Sequence, residues 1–451
     1  MNNSVNREIL RLSIPAIVSN ITVPLLGLFD TGISGHLGSE KFLAAIAVGS
    51  VMLNVVFWLF GFLRMGTTGL TATALGANNG EEIRKVFTRA LAIAVVSGVL
   101  LIILQYPVFK GLNLLIGGGE EIKELIEEYF LIRIWGAPAL LATMVLSGWF
   151  VGMQSTVYPL IINVGMNIVN IVVSFLLVYP ADMGFEGIAW GTTISNYAGL
   201  GIGAFCCLYF IKGQPLFCRW RNLMDGSGLG KFFSVNSNLF IRSMCIIGVT
   251  MGVTAAGGQL GVMTLAVNII VMQFFQFFSF FMDGFAFSGE AMLGLYAGAN
   301  NRQRFNLSRR ALLLWTGGMA LVFTLIYLFG LDTITMMLTD SDTVRHGVSE
   351  IALFVILIPG VSAWAFIYDG FYIGITKTRK MMLATIIATI AFFVIAFINP
   401  GDGQLSIQTR GNDAIWTAFL VYLGLRGLLL AIYWKNETKN LFQSSELSSL
   451  T

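Results

Sequence analysis

Few side chains in this sequence are equipped for chemistry. The first is Asp30, the only carboxylate in a largely apolar run from Ile9 to Ile33. A charged aspartate at the centre of a bilayer costs roughly 2.5 to 3.5 kcal/mol on insertion scales, so such residues mark ion pathways, partners or proton sites. A carboxylate withdrawn from water favours its neutral form, which suits a group that loads and releases a proton. Asp30 is expected to be the coupling carboxylate of a transporter. Pro24, six residues earlier, lacks the amide hydrogen that closes a helical turn and permits a kink, which makes it a hinge below the acid.

A second constellation is Asn163, Asn167, Asn170 and Ser174, spaced four, three and four residues apart. That spacing sets all four on one helical face. Their amides can bond a neighbouring acid, line a wet cavity or hold two helices together, and Thr192 and Asn196 are placed to complete the patch. A third group, Arg242, Asp283, Glu290, Asp369 and Arg426, lies in the second half. It reads either as an ion-pair network inside the helices or as contacts to substrate or ion. Arg133 and Arg242 also read as long side chains reaching toward a membrane surface. The aromatic stretch from Phe274 to Met282 reads mainly as core or lipid-facing packing, with a soft wall for a hydrophobic substrate as the sharper alternative.

Other chemistries find little support. The four cysteines have no CxxC spacing, so a metal site or disulfide framework is not expected and they read as small packing residues. His36 and His346 are the only histidines, and no HExxH motif occurs. No enzyme activity, metal or cofactor is expected, and a passive channel fits less well than alternating access.

These residues must be positioned by membrane-spanning helices. Of 451 residues, 56% are hydrophobic and 11% charged, against roughly 25% charged in an ordinary soluble domain. A net charge of +3 implies no nucleic acid. Apolar segments long enough to span recur at 9–35, 43–75, 86–115, 122–152, 157–179, 186–211, 231–257, 262–295, 305–330, 344–374, 380–398 and 413–434. Twelve transmembrane helices in an all-α fold are therefore predicted. Met1 to Glu8 is polar and no cleaved leader is expected, so the first run reads as the first span. With the N-terminus inside, the inner connections collect eighteen lysines and arginines and the outer ones five. The positive-inside rule then sets both termini in the cytoplasm of a cell-membrane protein.

The connection from Lys212 to Lys231, rich in turn signals, divides the chain. The expected organisation is an N-terminal lobe over 1–212, a cytoplasmic loop over 213–230, a C-terminal lobe over 231–435 and a tail over 436–451. The halves repeat at a shift of about 222 residues. Gly35-His36-Leu37-Gly38 returns as Gly258-Gln259-Leu260-Gly261, and Gly76-Ala77-Asn78-Asn79 as Gly298-Ala299-Asn300-Asn301. The stretch from Gly148 through Gly152 to Thr156 returns from Gly370 through Gly374 to Thr378. Six helices per half is an even number, so both halves insert the same way up. They are related by a pseudo-two-fold axis along the membrane normal, an arrangement that gives alternating access by rocking. Asp30 has no charged twin in the second half, and Asp283, Glu290 and Asp369 have none in the first.

Several of these motifs carry a family resemblance. The runs from Asn20 to Thr31, Phe62 to Ala72, Asn238 to Ser243, Asp283 to Ala291 and Asp369 to Gly374 resemble the multidrug and toxic compound extrusion (MATE) family. More narrowly, they resemble its DinF branch. The resemblance implies a two-lobed, twelve-helix antiporter that expels cationic or amphiphilic organic compounds in exchange for H+ or Na+. It implies that Asp30 couples the cation and that the first helix bends near Pro24. Small-molecule drugs or toxic amphiphiles and the lipid bilayer are the expected partners of a monomer. The family pattern matches Asn167 and Asn170 but carries an Asp four residues beyond the second, where this chain has Ser174. Oxygen sites for hard cations lean on such charge, so H+ is favoured over Na+ as the transported ion. The alternatives are a Na+-coupled drug antiporter or a flippase for lipid or lipid-linked oligosaccharide, which calls for basic residues along a cavity.

Overall fold

The computed structural model describes residues 3–35, 40–117, 119–218, 226–398 and 406–448. The backbone at Pro24 and Asp30 is helical, but their side chains lie outside the described residues, as do His36, Leu37 and Gly38 of the repeat. No strand occurs among the described residues.

In chain order the helices are α1 (Asn3–Gly35), α2 (Glu40–Leu59), α3 (Phe62–Gly76), α4 (Gly80–Ile103), α5 (Gln105–Leu115), α6 (Lys123–Ile134), α7 (Ala137–Gly152), α8 (Val157–Val178) and α9 (Gly184–Ile211). They continue as α10 (Gly226–Gln259), α11 (Val262–Gly298), α12 (Arg302–Leu338), α13 (Asp342–Glu350), α14 (Ala352–Gly374), α15 (Thr378–Phe397), α16 (Ser406–Arg410) and α17 (Asn412–Ser448). Among the described residues ten segments are long and apolar enough to cross a membrane. An eleventh arises if α6 and α7, bent by 51° at their junction, form one span. The 33-residue α1 carries the remaining apolar run.

Two junctions refine the sequence reading. The expected 43–75 span is interrupted between Leu59 and Phe62, where Gly61 sits in a turn, and the expected 122–152 span bends at Trp135 and Gly136. A glycine inside an apolar run leaves the hydropathy signal unbroken, so neither break shows as a gap in the pattern.

The repeat is written into the geometry. The spans Glu40–Gly76 and Val262–Gly298 are both 37 residues long and start 222 residues apart. Each ends in the same turn. Asn78 and Asn300 take left-handed backbone at φ 53° and 50°. The Asn79 and Asn301 side chains then cap the next helix, each accepting from a backbone N–H three residues on at 3.0 Å. This satisfies one of the unpaired amides at a helix start. Gln154 and Thr376 form a second matched pair, at φ 65° and 59°.

The close helix crossings also match. A side chain at Gly148 would strike the Arg64 carbonyl, and at Gly152 it would lie 2.9 Å from the Thr68 carbonyl. At Gly370 it would lie 2.5 Å from the Ala286 carbonyl, and at Gly374 2.8 Å from that of Glu290. Glycine four residues apart lets backbones touch where lipid supplies no hydrophobic force. At the first crossing Thr68 Oγ1 donates to the Gly148 carbonyl across 3.1 Å.

The chain parts into two compact units, 14–236 and 1–13 with 237–451. The divisions fall inside α1 and α10, 223 residues apart, rather than in the 213–230 connection. Within the second unit the opening turns of α1 are tied to α11 and α12. Ser13 and Ser288 share a hydrogen bond of 2.7 Å, the Tyr296 hydroxyl donates to the Glu8 carboxylate at 2.9 Å, and Trp315 Nε1 donates to Asn6 Oδ1 at 3.4 Å.

Candidate functional site

In the unit spanning 14–236 the polar face of α8 is a seam with two sides. Asn163 Nδ2 donates to Ser19 Oγ at 2.7 Å, and Asn167 Nδ2 donates to the backbone carbonyl of Thr22 at 2.9 Å. Both acceptors belong to α1, in the two turns that lead into Pro24. Thr22 Oγ1 bonds back to the Ser19 carbonyl at 2.7 Å. Asn170 turns the other way and donates to Thr192 Oγ1 on α9 at 2.8 Å, while Thr192 passes its own proton to the Ile188 carbonyl at 3.1 Å.

Ser174 follows Asn170 by one turn and is fully buried against α9. Gly191 makes room for it, because a side chain there would lie 2.8 Å from the Ser174 Cα and collide with its hydroxyl. Ser174 Oγ and Asn170 Oδ1 find no hydrogen-bond partner among the described residues. Two buried oxygens one turn apart, near the Thr192 hydroxyl, form a neutral acceptor cluster. Buried acceptors of this kind are costly without a donor.

Asn167, Asn170, Ser174 and Thr192 therefore share one helix seam, but they divide between two neighbours. The spacing identified the face and not the partners across it. Asn196 does not join the patch: it lies against Gly136 at the α6–α7 bend. Ser19 and the Thr22 carbonyl had no sequence signal of their own, because a backbone acceptor is invisible in residue type.

In the unit formed by 1–13 and 237–451 the charged residues cluster differently. Asp369 on α14 accepts through Oδ2 from Arg242 of α10 and Arg426 of α17 at once. Arg426 also donates to the Tyr422 hydroxyl at 3.2 Å and lies 5.5 Å from that ring's centre. All three charged side chains are buried. The expectation that Arg242 reaches toward a membrane surface is corrected here: it is held inward by Asp369, because a buried carboxylate offers a guanidinium more than a distant headgroup does. Arg133 instead donates to the Tyr129 hydroxyl at 2.7 Å. Glu290 is buried and Asp283 half-buried on α11. The bonds of the arginine pair to Asp369 extend to neither of them.

The aromatic stretch of α11 is largely core. Phe274 packs edge-on to Tyr327 with ring centres 5.1 Å apart, and Phe278 meets Phe323 at 5.2 Å. The four cysteines are free, and no cluster of metal-binding side chains occurs among the described residues.

The fold and these clusters can be set beside known proteins. The family model MatE matches twice, over residues 15–176 and 239–398, the two stretches related by the repeat. The chain is 33% identical over 442 residues to the DNA damage-inducible protein F of Escherichia coli (strain K12), covering 97% of this chain and 94% of that protein. Solved structures of a MATE protein in bent and straight conformations superpose with TM-scores of 0.84 and 0.82. Their identities to this chain are 17% and 18%, with 98% and 97% of it covered and 97% of each of those chains. The doubled family match and near-full-length identity to a relative show that this multi-pass membrane protein belongs to the MatE family of multidrug and toxic compound extrusion transporters, whose members are not enzymes.

Proposed function

We propose that the chain is a secondary antiporter in the cytoplasmic membrane. It exports cationic or amphiphilic organic compounds by alternating access, coupled to proton entry through Asp30. Both termini are cytoplasmic, as the distribution of lysine and arginine supports, and the protein works as a monomer. No cofactor takes part.

The observation that carries the proton reading is the neutrality of the α8–α9 seam. Asn170, Ser174 and Thr192 are buried side by side without a carboxylate among them. A hard cation such as Na+ coming to Asp30 would gain only neutral oxygens from this seam. A proton needs no second anion. The amides of Asn163 and Asn167 brace α1 just before Pro24, so a change of charge at Asp30 acts on a helix held firmly on one side of its hinge.

The second reading from sequence, a flippase for anionic lipid headgroups, draws less support. Both arginines of the Asp369 cluster are already engaged by that carboxylate. The test is efflux of a cationic dye from vesicles containing the purified protein, under a pH gradient without Na+ and under a Na+ gradient at constant pH. The proposal expects efflux in the first condition. Efflux confined to the second would overturn it.

A further inference from the structure

A cavity of about 190 Å3 opens in the unit formed by 1–13 and 237–451, between α10 and α11. Its polar lining comes from Thr250, Thr254, Asn268, Gln273 and Gln276, and Met272 contributes to its apolar part. None of these side chains is charged. Thr254 and Gln273 are exposed within spanning helices. A glutamine facing hydrocarbon would leave its amide without partners at a cost of several kcal/mol, so this wall faces water.

Asn268 shows that the site is built for a ligand group. It is 1% exposed, and its orientation is fixed because Trp416 Nε1 donates to its Oδ1 at 2.9 Å. The amide nitrogen must therefore be the other atom, and it finds no acceptor among the described residues. Gly257 lies beside it, where any side chain would come within 2.8 Å of that nitrogen. A buried amide donor on a cavity wall calls for an acceptor from outside.

The repeat explains why the site is neutral. A shift of 222 or 223 residues carries Asp30 onto Gly252 or Val253, between Thr250 and Thr254. Where the first half has its acid, the second half has no titratable group, and the surrounding wall is amide and hydroxyl.

The geometry points to a substrate subsite: this cavity takes an uncharged hydrogen-bonding group of the exported compound, such as an ester, amide or keto carbonyl, with Met272 against the adjoining apolar part. The volume is below the roughly 300 to 1,000 Å3 of a complete drug site, so it holds one fragment of a larger molecule. The assignment rests on the efflux reading and adds a substrate class to it. Positive charge is not what this wall recognises.

Two monovalent cations separate the possibilities. Rhodamine 6G carries an ester and N–H groups, whereas tetraphenylphosphonium has no hydrogen-bonding group. The double variant Gln273→Met, Gln276→Met keeps side-chain length and leaves the Asn268–Trp416 bond intact. In proton-driven efflux from vesicles it should raise the KM for rhodamine 6G roughly tenfold, the scale of one or two lost hydrogen bonds, and leave that for tetraphenylphosphonium within about twofold. Equal changes for both probes, or none for either, overturn the subsite while the efflux reading stands. A wild type that moves neither probe overturns the efflux reading, and the subsite falls with it.

Discussion

Asp369 shows what one side chain can hold together. Its Oδ2 faces two guanidiniums, so Asp369→Asn would leave two buried cations without their anion. Removing one partner of a buried pair is strongly destabilising, and we expect a loss of roughly 3 kcal/mol or more, read as a lowered midpoint in thermal unfolding of the purified protein. Replacing all three with Leu at 369 and Met at 242 and 426 should recover most of that loss, because apolar side chains of similar volume replace such clusters at little cost. A second residue-scale prediction concerns Thr192. It is the acceptor for Asn170 Nδ2, and Thr192→Val leaves a buried amide without a partner at a cost of roughly 1 to 3 kcal/mol. Thr193→Val removes only a donor to two backbone carbonyls and should cost less in the same measurement. The acids and amides were legible in the sequence because polar residues in apolar spans are conspicuous. Which of them meet was not, since Asp369 finds Arg242 and Arg426 across 127 and 57 residues.

At the scale of elements, the helix crossings were the most legible feature. The glycine pairs Gly148/Gly152 and Gly370/Gly374 recur with the repeat, and the structure puts both pairs against a neighbouring backbone at equivalent positions. Backbone cannot yield as a flexible side chain does, so Gly148→Ala or Gly370→Ala must push α7 from α3 or α14 from α11. We expect either change to cost about 1 to 3 kcal/mol, and the two costs to be similar because the crossings match. Thermal unfolding of the two variants checks both expectations; a change tolerated at one crossing and severe at the other would argue against equivalent packing. The interruption near Gly61 was not legible, because local hydropathy reports burial in lipid and is blind to a turn whose flanks are equally apolar. The seam of α8 was legible by half: helical period gives the face, but the neighbours across it are a property of the assembled bundle.

For the whole molecule, the duplication organises everything else. The spans, caps, glycine crossings and unit boundaries recur at one shift, while the chemistry does not. One half carries Asp30 and a neutral amide seam; the other carries a clamped carboxylate and a neutral cavity. A transporter made of two like halves thereby separates the proton from the organic substrate, and Asp30 is left as the single group on which coupling depends. The most direct measurement is dye efflux from vesicles under an imposed pH gradient, comparing wild type with Asp30→Asn at equal protein incorporation. Our account predicts that the variant loses gradient-driven efflux while keeping its fold and its dye binding. Retained proton-driven efflux in Asp30→Asn would contradict it.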